Sequence, residues 1–192
     1  MSEPETGLRR LLEALTNLGI PFLIGGSVAS SIHGVPRATM DVDLLVDLKP
    51  ENAVPLAEEL GSGYYVDVEA LKNAVRTGRP FNVIHYASSY KFDLFPLSTE
   101  AFLQSEFGRR TVVRTDVPGT GTLELPVATA EDTILAKLSW YRAGAEVSSR
   151  QWDDVLGILR VRSGRLDMAY LRQWSQHLHV EHLLERALAE VS

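Results

Sequence analysis

The chain has 192 residues, with 45% hydrophobic and 23% charged side chains, so its composition is that of one globular domain and excludes a disordered or fibrous protein. It contains no cysteine, which excludes disulfides, thiolate nucleophiles and iron–sulfur clusters. The formal net charge of −6 argues against a surface built mainly to bind the phosphates of nucleic acid.

The N-terminal sequence and the hydropathy pattern favour a cytoplasmic protein. Residues 1–10 carry Glu3 and Glu5 and lack the apolar segment of a signal peptide. No apolar run approaches the roughly 18 residues that a membrane-spanning helix needs. We therefore expect neither secretion nor a membrane partner.

The first half of the chain alternates predicted helices and strands. Leucines at helical spacing predict a first helix that ends at Gly19: Leu8, Leu11, Leu12, Leu15 and Leu18. Apolar and β-branched runs predict strands over 21–24, 41–46, 81–86 and 90–94, the last two forming a hairpin. Helices are predicted over 28–33, 50–60 and 66–75.

The second half changes from strands to helices. Short strand-like segments surround Pro118-Gly119 and Gly121 within residues 109–127. Capping boxes at Thr129/Asp132 and Ser148/Gln151 then predict helices that end near Arg142 and Gly164, and apolar periodicity predicts two more, over 168–174 and 183–191. We expect an α/β core over 1–127 and a helical region over 128–192 packed on it. On these helices Trp140, Trp152 and Trp174 are expected to pack internally, and His177, His179 and His182 to lie on the surface.

A glycine-rich turn between the first predicted strand and the second helix is a candidate anion site. Gly25 and Gly26 let backbone N–H groups turn toward a ligand, and the Ser27 hydroxyl can bind or cap. The same three residues also suit an ordinary turn followed by a helix cap. The turn alone does not decide between these interpretations.

Two carboxylates share one face of the predicted strand over 41–46. Asp41 and Asp43 are two residues apart, so both side chains point away from the core that Val42 and Leu44 enter. Two carboxylates about 4 Å apart repel by about 4 kcal/mol at an effective dielectric of 20, which favours either protonation of one of them or capture of a divalent cation. Oxygen ligands suit Mg²⁺ or Mn²⁺. The alternative is that Asp41 caps the preceding loop and Asp43 faces solvent.

A third carboxylate interrupts a later apolar strand. Asp93 lies in Lys91-Phe92-Asp93, and Lys91 shares its face. If this strand lies beside the Asp41 strand, three carboxylates converge, as two-metal displacement at a triphosphate requires. The alternative is an exposed Lys91–Asp93 ion pair of little energetic value.

The ordered set of these motifs resembles the nucleotidyltransferase superfamily, whose fold is shared with DNA polymerase β. The residues that carry this resemblance are Gly25-Gly26-Ser27, then Asp41-Val42-Asp43 after thirteen intervening residues, and the later Asp93. The closest resemblance is to the minimal bacterial and archaeal group with AbiEii-type and MenT-type toxins, whose pattern adds a Lys-x-Asp and an acidic-x-x-x-x-Lys helix. Lys91-Phe92-Asp93 and the segment from Asp132 to Lys137 fit these, so the resemblance covers roughly residues 22–160.

The resemblance implies an α/β (α+β) nucleotidyltransferase fold, a mixed β-sheet flanked by helices and followed by a small C-terminal helical bundle. It implies that Asp41, Asp43 and Asp93 hold Mg²⁺ or Mn²⁺, with Asp93 as a base for the acceptor hydroxyl. Gly25, Gly26, Ser27, Arg37, Lys91 and Lys137 are the implied substrate-binding residues. From its helix, Lys137 either snorkels at the core edge or reaches the nucleotide, and Asp132 is a helix cap.

The implied activity is transfer of a nucleoside monophosphate from an NTP to an acceptor hydroxyl. The acceptor is open among RNA or tRNA, a protein and a small molecule, with a local patch of Arg160, Arg162 and Arg165 available to dock tRNA. The subgroup further implies a cognate toxin or antitoxin partner. Two alternatives are a non-catalytic nucleotide-binding or interaction module with the same fold, and a sugar-nucleotide or phosphatase site built on the Asp-x-Asp.

Overall fold

The computed structural model describes residues 3–39, 41–117 and 121–191. The chain forms two compact units: Met1–Ile24 with Ala38–Val127, and Gly25–Arg37 with Ala128–Ser192. One boundary between the units falls after Val127; the division into a core over 1–127 and a helical region over 128–192 stays a prediction. Residues 25–37, which the sequence-based division places in the first domain, instead make their contacts within the second unit.

Over its described residues, the first unit holds a seven-stranded mixed sheet and four α-helices. The strands are β1 Phe22–Ile24, β2 Asp41–Val46, β3 Tyr64–Tyr65, β4 Phe81–His85, β5 Lys91–Pro96, β6 Thr111–Val117 and β7 Gly121–Val127. The helices are α1 Glu3–Asn17, α3 Ala53–Leu60, α4 Val68–Thr77 and α5 Ala101–Arg109, with 3₁₀ turns at Pro50–Asn52 and Gly61–Gly63.

The strand order is β3-β4-β5-β2-β1-β7-β6. β2 pairs in parallel with β5, and β1 with β7, whereas the other neighbours are antiparallel. Register places Val42, Phe92 and Val83 side by side, and all three are fully or almost fully buried. The apolar alternation that predicted these strands therefore supplies one face of the core.

Helix α1 covers the same face of the sheet edge as Tyr64 and His85. The Tyr64 hydroxyl donates to the Gly7 carbonyl at 2.6 Å, and burial raises the pKa of Tyr64 to about 12. A Cβ on Gly7 would lie 2.8 Å from the His85 ring, so this close approach requires glycine. Residues that alternate with Tyr64 and His85 point to the other face, which is the one that carries the carboxylates.

In the part of the second unit that the structure describes, the regular elements are all helices. Its helices are α2 Gly26–His33, α6 Ala130–Ala143, α7 Ser149–Val161, α8 Met168–His177 and α9 Glu181–Val191. Helix α2 packs against α6 and α7, which pack against each other, while α8 contacts α6 and α9, and α9 contacts α7. The helical bundle predicted for the C-terminal part thus includes a short helix from much earlier in the chain.

The two predicted capping boxes have different outcomes. Thr129 caps α6, because its side chain accepts a hydrogen bond from the Asp132 N–H at 3.2 Å, as predicted. Ser148 precedes α7 as predicted, but its side chain makes no cap hydrogen bond, so the predicted capping box there is wrong. The Gln151 Oε1 atom is buried without a hydrogen-bond partner.

Several sequence-based expectations change in the structure. The strand-like segments over 109–127 are one long hairpin, β6–β7, and its Pro118-Gly119 turn lies outside the described residues. Short β3 and helix α5 were not predicted. Trp152 is buried and Trp174 partly so, but the packing predicted for Trp140 is wrong, since it is 56% exposed. The buried stripe of α6 runs through Leu138 and Tyr141, which turns Trp140 outward.

Among the described residues, no helix combines the length and the apolar character that crossing a membrane requires.

A buried histidine ties the end of α2 to two other elements of the second unit. The His33 Nε2–H donates to the Ala128 carbonyl at 2.7 Å, and Nδ1 accepts from the Arg162 guanidinium at 3.1 Å. Burial lowers the pKa of His33, and Arg162 lowers it further, against opposing effects of the Ala128 carbonyl and Glu131. His33 is therefore neutral in the folded protein at pH 7.

We expect the free energy of unfolding to fall as the pH drops below about 6.5. There the unfolded chain takes up a proton on His33 that the folded chain does not, so stability decreases by up to about 1.4 kcal/mol per pH unit until the lowered folded pKa is reached. Urea titrations at pH 7.0, 6.0 and 5.0 measure this. His33→Gln keeps a donor and an acceptor and should flatten the profile; parallel profiles for both proteins would contradict the assignment.

Candidate active site

The parallel pairing of β2 with β5 places the predicted carboxylates on one face of the sheet. Asp41 is registered with Lys91, and Asp43 with Asp93. Residues that pair across a sheet share a face, and paired strands lie about 4.8 Å apart, so these four side chains are neighbours. Asn82 on β4 is registered with Asp93, and its side-chain amide donates to the Asp93 carboxylate.

The Lys91 ammonium lies among these carboxylates. Its Nζ atom is 2.9 Å from Asp93 Oδ2 and 3.7 Å from Asp41 Oδ1. The hydrogen bond to Asp93, together with the charges of Asp93, Asp41 and Asp43, raises the pKa of Lys91 despite some desolvation. The Asp93 side chain is only 17% exposed, compared with 58% for Asp41. Two of the three carboxylates, Asp41 and Asp93, therefore already lie next to a positive charge, which is the Lys91 ammonium.

The carboxylates of this face are the metal ligands that the sequence predicts. Asp41, Asp43 and Asp93 offer carboxylate oxygens on one face, which are ligands that Mg²⁺ and Mn²⁺ prefer. The cation that lies between two of these carboxylates is the Lys91 ammonium, so the Lys91–Asp93 ion pair given above as the alternative is present. Over residues 3–39, 41–117 and 121–191, no three acidic or histidine side chains are drawn together as metal ligands.

The second unit holds the other predicted site residues in one polar network. The Arg37 Nη2–H donates to Ser27 Oγ at 2.6 Å. Arg37 also forms a two-point ion pair with Asp154, from Nε at 2.9 Å and from Nη2 at 3.0 Å. The Lys137 Nζ atom lies 2.8 Å from Asp154 Oδ2. One carboxylate therefore pairs with two of the three cations that the resemblance implies for substrate binding, Arg37 and Lys137.

Asp154 is the residue of this network that the sequence analysis missed. It lies on the buried side of α7, with a side chain 5% exposed, beside a Lys137 side chain that is 6% exposed. Burial alone would raise the pKa of Asp154, but the hydrogen bonds from Arg37 and Lys137 outweigh it and hold that pKa below its ordinary value. Its signal in the sequence is a charged residue next to the apolar stripe of Trp152 and Val155.

The structure excludes one of the two alternatives given for Lys137, the snorkelling one. Lys137 does not snorkel to solvent, because its ammonium is buried and paired with Asp154. Asp132, expected as a helix cap, lies inside the first turn of α6, whose N-cap is Thr129. It is fully buried, and its carboxylate accepts hydrogen bonds from Thr129 Oγ1 at 2.6 Å and from the Tyr170 hydroxyl. The three histidines in and between α8 and α9 are exposed as expected: His177, His179 and His182.

The glycine turn is not a conventional helix cap. The N-cap residue of α2 is Gly25, which has no side chain to cap the helix. Gly26 has a φ of 53°, in the left-handed region that favours glycine. The Ser27 hydroxyl is engaged by Arg37 instead of capping the helix. Of the arginines considered for tRNA docking, Arg162 is committed to His33, whereas Arg160 and Arg165 are exposed.

Comparison with known proteins places the fold. No protein-family model and no curated protein matches the chain. A crystal structure of ANT(2'')-Ia, an aminoglycoside nucleotidyltransferase, in complex with adenylyl-2''-tobramycin is similar with a TM-score of 0.53 at 14% sequence identity, over 94% of this chain and 99% of that one. A solution structure of the antibiotic-resistance factor ANT(2'')-Ia gives 0.49 at 15% identity, over 95% and 92%. The chain thus has the nucleotidyltransferase fold predicted from its sequence, a mixed sheet with flanking and C-terminal helices. The AbiEii/MenT-like subgroup stays a prediction.

Proposed function

We propose that the protein is a metal-dependent nucleotidyltransferase that transfers a nucleoside monophosphate from an NTP to an acceptor hydroxyl and releases pyrophosphate. The observation that carries the proposal is the register of β2 with β5, which aligns Asp41, Asp43, Lys91 and Asp93 on one face. A mixed sheet of this fold with three carboxylates on adjacent parallel strands suits displacement at a phosphate.

In this reaction, a bond forms between the acceptor oxygen and the α-phosphorus, and the bond from the α-phosphorus to the bridging oxygen of pyrophosphate breaks. Asp41, Asp43 and Asp93 would hold Mg²⁺ or Mn²⁺, which supplies charge neutralisation at the transferring phosphate. The hydroxyl proton passes to the Asp93 carboxylate, whose place next to Asn82 and Lys91 fixes its orientation.

The predicted site residues of the second unit are assigned to binding the triphosphate, because they offer hydrogen-bond donors that suit phosphate oxygens. Gly25 and Gly26 supply backbone N–H groups at the start of α2, and Ser27 and Arg37 supply a hydroxyl and a guanidinium. Asp154 is a positioning residue, because it holds Arg37 by two hydrogen bonds. Lys137 completes the network through Asp154.

The test is nucleotidyl transfer from each of the four α-labelled NTPs with Mg²⁺ or Mn²⁺. Acceptors are total RNA including tRNA, a protein mixture and a panel of small molecules that includes tobramycin, because ANT(2'')-Ia is solved with adenylyl-2''-tobramycin. We expect label on one acceptor class and matching release of pyrophosphate.

The control is the Asp41→Ala, Asp43→Ala double variant, which removes two of the three carboxylates from an exposed face. Transfer no greater than that of this variant with every NTP and acceptor would contradict the proposal. An NTP that raises the melting temperature without turnover would instead indicate the non-catalytic nucleotide-binding module. A cognate toxin or antitoxin partner is proposed only through the AbiEii/MenT-like resemblance.

A further inference from the structure

A histidine and a serine form a hydrogen-bonded pair at the tip of the β4–β5 hairpin, away from the carboxylates. The His85 Nδ1 atom lies 2.7 Å from Ser88 Oγ. The backbone N–H of Tyr90 donates to the same Oγ atom at 3.4 Å, which leaves the hydroxyl hydrogen free to point at Nδ1. A serine hydroxyl within hydrogen-bond reach of an imidazole base is the arrangement that activates serine as a nucleophile.

The imidazole of this pair is held in place by its surroundings. His85 is 8% exposed, and the centroid of its ring is 4.9 Å from that of Tyr64. A Cβ on Gly7 would lie 2.8 Å from Nδ1, so helix α1 packs directly beside that nitrogen. Ser88, by contrast, is only partly buried, and its neighbour Ser89 is exposed. The hairpin tip therefore combines a fixed base with a hydroxyl that a reagent can reach.

We propose that Ser88 is a modification site, at which the protein transfers a nucleoside monophosphate from an NTP to the Ser88 hydroxyl of a second copy of the chain. This inference rests on the proposed function and names one acceptor for it. A bond forms between Ser88 Oγ and the α-phosphorus, and the bond from the α-phosphorus to the bridging oxygen of pyrophosphate breaks. The hydroxyl proton passes to His85 Nδ1.

Transfer between two copies follows from the faces of the sheet. His85 alternates with Ile84, which is registered with Lys91, so His85 lies on the face opposite to Lys91 and Asp93. A Ser88 hydroxyl paired with His85 is therefore turned away from the carboxylates of its own chain. The exposed tip can instead approach the site of another molecule, as an external acceptor does.

The test is incubation of the protein alone with each α-labelled NTP and Mg²⁺ or Mn²⁺, followed by mass spectrometry of the labelled peptide. We expect label on Ser88 of the wild type and none on Ser88→Ala. The amide of His85→Asn can contact the hydroxyl but cannot take its proton, so labelling should fall about 10²-fold or more. Ser89→Ala is the matched control, because it removes the adjacent exposed hydroxyl, and it should stay within about twofold of the wild type.

A mixing experiment tests the transfer between copies. The Asp41→Ala, Asp43→Ala variant lacks two of the three carboxylates but keeps Ser88, whereas Ser88→Ala keeps the carboxylates and lacks the acceptor. In a mixture of the two, label on the Ser88 peptide comes only from transfer between chains and supports the inference. A mixture without label on that peptide overturns it.

The remaining outcomes separate this inference from the proposed function. Label on an external acceptor with none on Ser88 overturns the inference and leaves the proposed function intact. Equal labelling of the wild type and Ser88→Ala also overturns it, because another residue is then the acceptor. No label on the protein or on any external acceptor contradicts both. Ser88→Ala lies at a partly exposed position, so it decides the test even if His85→Asn does not fold.

Discussion

Asp93→Asn is expected to lower kcat/KM for nucleotidyl transfer by about 10³-fold or more. The substitution keeps the shape of the side chain but removes the charge that would hold a metal and the base that would take the acceptor proton. The Asp93 side chain is less exposed than that of Asp41, the other carboxylate near Lys91. It contacts both Lys91 and Asn82. Steady-state kinetics with the acceptor identified in the label assay measure the effect.

The matched control for this prediction is Asp47→Asn. Asp47 follows β2 directly and also forms an ion pair with a lysine, Lys49, but it lies outside the carboxylate face. Its kcat/KM should stay within about twofold of the wild type, since exposed ion pairs contribute little. If a folded Asp93→Asn protein keeps more than a tenth of the wild-type activity, Asp93 is not a catalytic residue.

Asp154→Ala is expected to reduce the free energy of unfolding by about 3–5 kcal/mol, the largest single effect on stability that we predict. Asp154 neutralises the buried Lys137 and pairs with Arg37. Without it, Lys137 remains as a buried cation with no carboxylate at its ammonium, and the penalty of burying that charge is no longer offset. Urea unfolding followed by circular dichroism measures the loss.

A second variant separates the structural from the functional role of this network. In the double variant Lys137→Met, Asp154→Leu, both buried charges are replaced by apolar groups, so most of the lost stability should return. Arg37 still lacks its two-point partner, so binding of the NTP should stay weakened in this stable protein. If the double variant binds NTP as tightly as the wild type, Asp154 does not position a phosphate-binding residue.

Local patterns were sufficient to predict most of the fold. The leucine stripe of α1, the alternation in β2 and the hairpin of β4 and β5 were visible in the sequence, because each element buries apolar residues at its own period. The two-residue strand β3 and helix α5 were not. A strand as short as Tyr64–Tyr65 has no period to detect, and its pairing with β4 depends on tertiary contacts.

The sequence could predict only those features of the site that follow from the backbone, namely which side chains share a face of a strand. Period-two alternation put Asp41 with Asp43, and Lys91 with Asp93, on common faces, and the adjacency of β2 and β5 was stated as a condition that the sheet fulfils. Asp154 was not predicted, because its partners Arg37 and Lys137 are 117 and 17 positions away along the chain. Local sequence patterns do not indicate ion pairs between such distant positions.

The grouping of Gly25–Arg37 with the C-terminal helices has a consequence for dividing the chain. A fragment that stops at Val127 retains α2 but loses α6 and α7, the helices against which its buried residues Val28 and Ala29 pack. The complementary fragment loses Arg37, the partner of its own Asp154. The polypeptide crosses between the two units three times, so a single cut after Val127 keeps the first unit on one fragment but divides the second unit between both fragments.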